Sequence, residues 1–171
     1  MKISSQEEYG LRCLMHLARE GDHSMTIPEI ATAERLSHAY VAKLLGVLRQ
    51  AGLIESVRGR SGGYRLAGSA SEVTLGSVLR VLGEPLFEEP GYCQQHAGTE
   101  ASGTCIHHGG CTLRALWHTL EQWMRRALDG ITLADLLQSE GQITELLRSR
   151  LADAVFETSS PLITLSAPSR S

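Results

Sequence analysis

The feature that most constrains the fold is a change of apolar period at Gly52. Before it, Val41, Leu44, Leu45 and Leu48 recur at helical spacing and Ala51-Gly52 closes the run. After it, Leu53-Ile54-Glu55-Ser56-Val57 reads as a strand, Arg58-Gly59-Arg60-Ser61-Gly62-Gly63 as a glycine-rich turn, and Tyr64-Arg65-Leu66 as the returning strand. Upstream, Ser4 or Ser5 N-caps a first helix with Glu7 and Glu8 in its favourable first turn and Tyr9, Leu14, Leu17 and Ala18 as its stripe, and Gly21 ends it. Thr26-Ile27-Pro28-Glu29 matches a capping box with Pro near the first helical position, and a short helix Glu29–Glu34 follows. Ser37 then caps a helix to Gln50. Helix, short helix, helix and hairpin in that order are the parts of a winged helix-turn-helix.

The second helix of such a unit enters the major groove while phosphate contacts fix its register. Its exposed N-terminal side here carries Ser37, His38, Ala39, Tyr40 and Lys43, with hydroxyl, imidazole and ammonium groups able to meet phosphates or base edges. The hairpin tip adds Arg58, Arg60 and Ser61 beside glycines that admit a close backbone approach, and an arginine on a wing commonly enters a minor groove. Charge agrees with this placement. The chain is net −3, yet residues 1–70 hold nine Lys/Arg against seven Asp/Glu, and from Lys43 to Arg65 five cations face the single acid Glu55. The glycine-rich turn is not a nucleotide loop, because it lacks the Gly-Lys-Ser/Thr ending and no helix follows it. No nucleophile elbow and no pocket-like pair of carboxylates is present, so an enzyme is not expected.

Thr74 caps a further helix to Leu82. From Gly83 to Gly110 apolar periodicity vanishes, and loops this long inside a compact protein are usually functional or disordered. Three of the four cysteines fall in this loop or at its end: Cys93, Cys105 and Cys111, spaced C-x11-C-x5-C, with His96, His107 and His108 interleaved. No apolar run approaches the roughly 20 residues that span a membrane, so a cytoplasmic protein is expected. In a reducing compartment such cysteines argue for thiol or metal chemistry rather than disulfides. Thiolates bind soft metals, but the spacing alone does not choose zinc or iron–sulfur. Cys13, on the apolar side of the first helix, reads as core packing.

Past the loop, Leu113, Leu116, Trp117, Leu120, Trp123, Met124 and Ala127 trace one helix face that ends near Gly130. It is too apolar to stand alone in water and predicts packing against a second subunit. Thr132 caps a short helix through Leu137, residues 143–156 form another, and from Thr158 a Ser/Thr/Pro-rich stretch without core pattern reads as a disordered tail.

These stretches together resemble the winged-helix iron–sulfur regulators of the IscR and NsrR type, the Rrf-two family. The resemblance rests on Met1-Lys2-Ile3-Ser4 opening the first helix, on Leu36-Ser37-His38-Ala39-Tyr40-Val41, on the wing from Gly52 to Tyr64, on the Thr74–Leu82 helix, on the three cysteines and on Cys111-Thr112-Leu113-Arg114-Ala115-Leu116-Trp117. It covers residue 1 to about residue 138. It implies a homodimer on palindromic operator DNA, with no membrane partner, whose affinity is set by a [2Fe–2S] or [4Fe–4S] cluster reporting iron or cluster supply, nitric oxide or redox state. Cys93, Cys105 and Cys111 fall on the three cysteine ligands, with a longer first gap than in the best-known members. IscR-like members take a fourth ligand from a His three residues past the last cysteine. Here that residue is Arg114, whose permanently protonated guanidinium cannot ligate iron. NsrR-like members use an acid in the first turn of the first helix, contributed across the dimer, and that position matches Glu8, with Glu7 beside it. His107 and His108 are the competing fourth ligands. A regulator with a zinc-binding or thiol-oxidation loop and no cluster is the alternative.

The expectation is thus a mainly α protein with a small β-hairpin wing, a winged helix-turn-helix plus a long dimerisation helix. Residues 1–82 form the DNA-binding domain, 83–111 the cysteine-rich cluster loop, 112–157 the dimerisation and C-terminal helices, and 158–171 the tail.

Overall fold

The computed structural model describes residues 3–59, 62–83, 107 and 110–157, with 151–157 described as backbone only. The expected tail, 158–171, lies outside the described residues, as does most of the long loop. The described elements run α1 (Ser5–Glu20), α2 (Ile27–Glu34), α3 (His38–Gln50), β1 (Ile54–Val57), β2 (Gly63–Leu66), α4 (Leu75–Leu82), α5 (Thr112–Asp129), α6 (Leu133–Leu136) and α7 (Glu140–Glu157).

Helix starts follow the side chains that satisfy their orphan N–H groups. Ser4 caps α1 in a reciprocal box with Glu7, Thr26 caps α2 with Glu29, Ser37 caps α3, Thr74 caps α4, and Thr132 caps α6 with Asp135. Two starts come earlier than the periodicity indicates. The Thr26 cap makes Ile27 the first helical residue of α2, so the helix gains two residues over a Glu29 start. Before α7, both the backbone N–H and the hydroxyl of Ser139 donate to Gln142 Oε1, which starts that helix at Glu140 rather than Ile143.

α1 is the central support, packed against α2, α3, α4, α6 and β2. Its Cys13, Leu14 and Leu17 share one fully enclosed core with Ile30 of α2 and with Val41, Leu44, Leu45 and Leu48 of α3. Val78 and Leu82 of α4 and Leu133 of α6 join the same core. The segment after α5 is therefore knit back onto the helix-turn-helix unit. Leu75 N–H donates to Ile131 O at 2.7 Å and Leu133 N–H to Val73 O at 2.8 Å, which closes a bridge between Thr74 and Thr132.

The hairpin pairs Ile54 with Leu66 and Val57 with Gly63 in antiparallel register. It does not project freely. Met25 N–H donates to Tyr64 O at 2.9 Å and Tyr64 N–H to Met25 O at 2.8 Å, fastening the wing to the residue that precedes the α2 cap. The close approach requires Gly63, because a Cβ there would lie 2.5 Å from the Met25 carbonyl oxygen. Gly63→Ala is accordingly expected to destabilise the protein by about 1–3 kcal/mol, since backbone must move to admit the methyl group. A chemical denaturation midpoint unchanged from wild type would contradict this fastening.

Candidate nucleic-acid interface and sensor site

The N-terminal side of α3 presents the groups expected from the sequence. Ser37 Oγ accepts the Tyr40 N–H at 3.2 Å, which fixes the first turn. Ser37, His38, Ala39 and Lys43 are exposed, while Tyr40 is half-buried, its ring edge-on to Tyr9 of α1 at 6.2 Å between centroids. Tyr40 therefore ties α3 to α1. On the wing, Arg58 is exposed at the end of β1, whereas Arg65 is held by Glu55 across the strands at 2.7 Å. The pairing neutralises Arg65, so among the described residues of the wing Arg58 is the exposed cation outside that pair. Arg60 and Ser61 lie outside the described residues.

Glu8 stands at the head of a charged chain that sequence reading did not assemble. Glu8 Oε1 accepts from Arg12 Nε at 2.8 Å and Nη2 at 2.7 Å, one helical turn later. Arg12 Nη1 also reaches Glu34 Oε2 of α2 at 3.4 Å, and Glu34 Oε1 meets His16 Nε2 at 2.7 Å. Glu8 first, and then Glu34, hold the Arg12 guanidinium further into its charged form. The same guanidinium lies 5.5 Å from the centre of the Tyr9 ring, the ring that meets Tyr40. The Glu8–Arg12 pair was legible as an i, i+4 spacing. The third and fourth partners come from packing of α2 on α1, which no local spacing reveals.

Of the expected cluster ligands, Cys93, Cys105 and the alternative His108 lie outside the described residues. Cys111 is the N-cap of α5, and its sulfur accepts the Arg114 N–H at 3.4 Å. It thus sits at the positive end of a long helix, where anionic groups are favoured. His107 is exposed, its carbonyl accepting the Gly110 N–H at 3.2 Å in the turn leading to Cys111. At the other end of the loop, Gln6 Nε2 donates to Leu82 O at 2.8 Å, so the chain enters the cysteine segment beside the first turn of α1. Among the described residues no group of three or more His, Cys, Asp or Glu converges as a metal site. The α5 helix beyond Cys111 is inverted relative to an ordinary surface helix: its buried residue is Glu121, while Leu113, Leu116, Trp117, Leu120 and Trp123 are 36–57% exposed.

The model of the Rrf2 family, described as iron-dependent transcriptional regulators, matches residues 3–139. The chain belongs to the Rrf2 family. It is 34% identical to the transcriptional regulator NsrR of Geobacillus kaustophilus over 151 residues, covering 88% of this chain and 99% of that protein. Among solved structures it is similar to CymR, the global cysteine regulator of Bacillus subtilis, with a TM-score of 0.62 and 31% identity over 80% of this chain and 96% of that one. It is likewise similar to IscR of T. potens, with a TM-score of 0.61 and 30% identity over 80% of this chain and 86% of that one. The protein is therefore a DNA-binding transcriptional regulator built on a winged helix, and not an enzyme. Among the described residues, no helix of this Rrf2 protein is long and apolar enough to cross a membrane.

The two described thiols of this Rrf2 regulator differ in kind. Cys13 is fully enclosed, and burial first, the Glu34 charge second, push its thiol up to about 12. Cys111 is half-buried at a helix end. In native, metal-free protein near neutral pH, Cys111 is expected to alkylate and Cys13 to stay unmodified until the fold is lost. Mass mapping after brief iodoacetamide treatment checks this. Modification of Cys13 at the rate of Cys111 would refute it.

Proposed function

We propose that this Rrf2-family protein works in the cytoplasm as a homodimer on a palindromic operator, and that an iron–sulfur cluster held by Cys93, Cys105 and Cys111 controls its grip on DNA. The observation that carries the sensor half is the family's iron dependence combined with three cysteines confined to one loop, one of them capping α5. The donor chemistry fits a cluster. Thiolates suit iron–sulfur iron, and Arg114 cannot serve as the fourth ligand. That leaves a carboxylate, Glu8 of the partner subunit, or the loop imidazoles of His107 and His108. When bound, such a cluster supplies a group sensitive to oxidation, nitric oxide and iron supply. Oxygen holds iron–sulfur iron less tightly than thiolate, so a carboxylate corner would be the labile one.

The chain's own residues connect that position to DNA. Glu8 engages Arg12, Arg12 lies over Tyr9, and Tyr9 abuts Tyr40 in the first turn of α3. Any partner that takes the Glu8 carboxylate competes with Arg12. The carboxylate is thereby three side-chain contacts from the recognition helix.

The dimer half rests on α5. A helix that buries an acid and exposes two tryptophans and three leucines gains from a second copy of itself, about 1.5–3 kcal/mol for each large side chain removed from water. Replacing both Trp117 and Leu120 by Glu is expected to yield a folded monomer with sharply weaker DNA binding. Sedimentation velocity and far-ultraviolet circular dichroism check this together, and a variant that remains dimeric would place the interface elsewhere.

A second reading is favoured by the likeness to CymR, a cysteine regulator: the same thiols act through zinc or through their own oxidation. Oxygen-free purification separates the two. The iron–sulfur reading expects brown or red protein with iron and sulfide, visible absorption lost in Cys111→Ser, and at least a tenfold difference in DNA affinity between loaded and stripped protein. Colourless protein containing zinc, or metal-free protein whose affinity follows thiol oxidation, would instead establish the second reading.

A further inference from the structure

Among the described residues, four adopt positive φ, and three of them are glycines: Gly21, Gly52 and Gly59. The fourth is Arg35, at φ 55° and ψ 42°. It occupies the C-terminal turn of α2, where its N–H donates to Thr32 O at 3.4 Å and the Leu36 N–H to Ala31 O at 3.0 Å. This is the Schellman arrangement, whose left-handed position is ordinarily given to glycine, or sometimes asparagine, because a Cβ there crowds the backbone. The following Leu36 packs against the core and locks the turn. An arginine therefore costs folding free energy here relative to glycine.

The turn's backbone hydrogen bonds and Leu36 hold that conformation, but the Arg35 side chain itself returns none of the cost within the described residues. Arg35 is exposed and forms no ion pair or side-chain hydrogen bond within them. The adjacent carboxylate, Glu34, is already engaged by Arg12 and His16. The α2 carbonyls that the turn must satisfy are met by backbone N–H groups, which do not depend on the guanidinium. A left-handed residue whose side chain has no partner among the described residues is the kind of outlier that points to a binding role. Its position specifies which: Arg35 lies two residues before the α3 cap, between the helix that crosses the DNA backbone and the helix that enters the groove.

We propose that Arg35 is a phosphate-contacting residue of the DNA interface, presented at the groove edge by the turn that joins α2 to α3. The inference rests on the reading of α2 and α3 as the DNA-binding unit and adds a contact outside the recognition helix and the wing. A planar, permanently charged guanidinium suits bidentate contact with phosphate oxygens. Because phosphates carry no sequence information, the contact strengthens binding to operator and to mixed-sequence duplex alike.

The test uses full-length protein with two labelled duplexes, one recovered from a randomised pool by wild-type protein and one of mixed sequence and equal length. Affinities are measured from about 50 to 200 mM salt, the range over which counterion release is read as a slope. Arg35→Gly and Arg35→Asn are expected to bind both duplexes roughly three- to tenfold more weakly, with a salt slope smaller by about 1. The glycine variant should also melt about 2–4 °C higher than wild type, because the left-handed strain is relieved. Arg35→Lys should keep the wild-type slope. A residue with only a structural role cannot give a more stable protein that binds less well on every sequence. Unchanged affinity and slope in Arg35→Gly, with wild type binding normally, would overturn the phosphate contact. Wild-type protein that retained neither duplex would defeat the underlying reading of α2 and α3 and the proposal with it.

Discussion

Cys13, Leu14 and Leu17 on one face of α1 share a water-free core with Ile30 of α2 and with Val41, Leu44, Leu45 and Leu48 of α3. The rest of the molecule depends on that burial. It sets the angle of the recognition helix, and by leaving Ser37, His38, Ala39 and Lys43 on the opposite side it decides which groups face a duplex. α1 also receives β2, α4 and α6 on its remaining surfaces. The proposed DNA-reading surface and the attachment of the cysteine segment are thus both referred to one helix, α1. Helices short by themselves, such as the eight residues of α2, stand only because tertiary packing supplies what isolated propensity does not.

Polar contacts then refine what the core has placed. The capping boxes at Ser4, Thr26 and Thr132 each satisfy two donors, which fixes where helices start rather than whether they form. In the chain of Glu8, Arg12, Glu34 and His16, Glu8 and Arg12 are about half exposed, so their pairing contributes little to stability, while His16 and Glu34 are more enclosed. Its weight lies in position. It joins the first turn of α1 to the end of α2, and through the Arg12–Tyr9 contact to α3.

The helix-turn-helix and wing were readable because most boundaries carry a local chemical mark: a hydroxyl at each helix N-cap, a proline at the start of α2, glycines in the hairpin turn. The exposed apolar face of α5 was equally plain from spacing, since seven apolar residues keep one helical stripe. Long-range relations were not legible. That Leu133 returns to the core of α1, that Met25 pairs with Tyr64, and that Glu34 reaches Arg12 all depend on how separate segments meet. The left-handed turn at Arg35 was hidden for another reason: arginine is a residue that sequence rules do not associate with that backbone conformation. The candidate ligands of the cysteine loop were named by residue type alone, and Cys93, Cys105 and His108 lie outside the described residues.

The Met25–Tyr64 bridge carries a mechanical consequence. Because the hairpin is stitched to the strand-like residue that leads into α2, groove probe and wing within one chain form a single stamp with fixed relief. A signal cannot easily tilt one against the other without breaking two backbone hydrogen bonds. In the proposed two-fold assembly the compliant coordinate would then be the distance and angle between the two stamps, set where α5 would meet its twin. Half-sites one helical turn apart, about 34–36 Å, would be sensed as a caliper senses a gauge block: the jaws keep their shape, and only their separation admits or refuses the duplex.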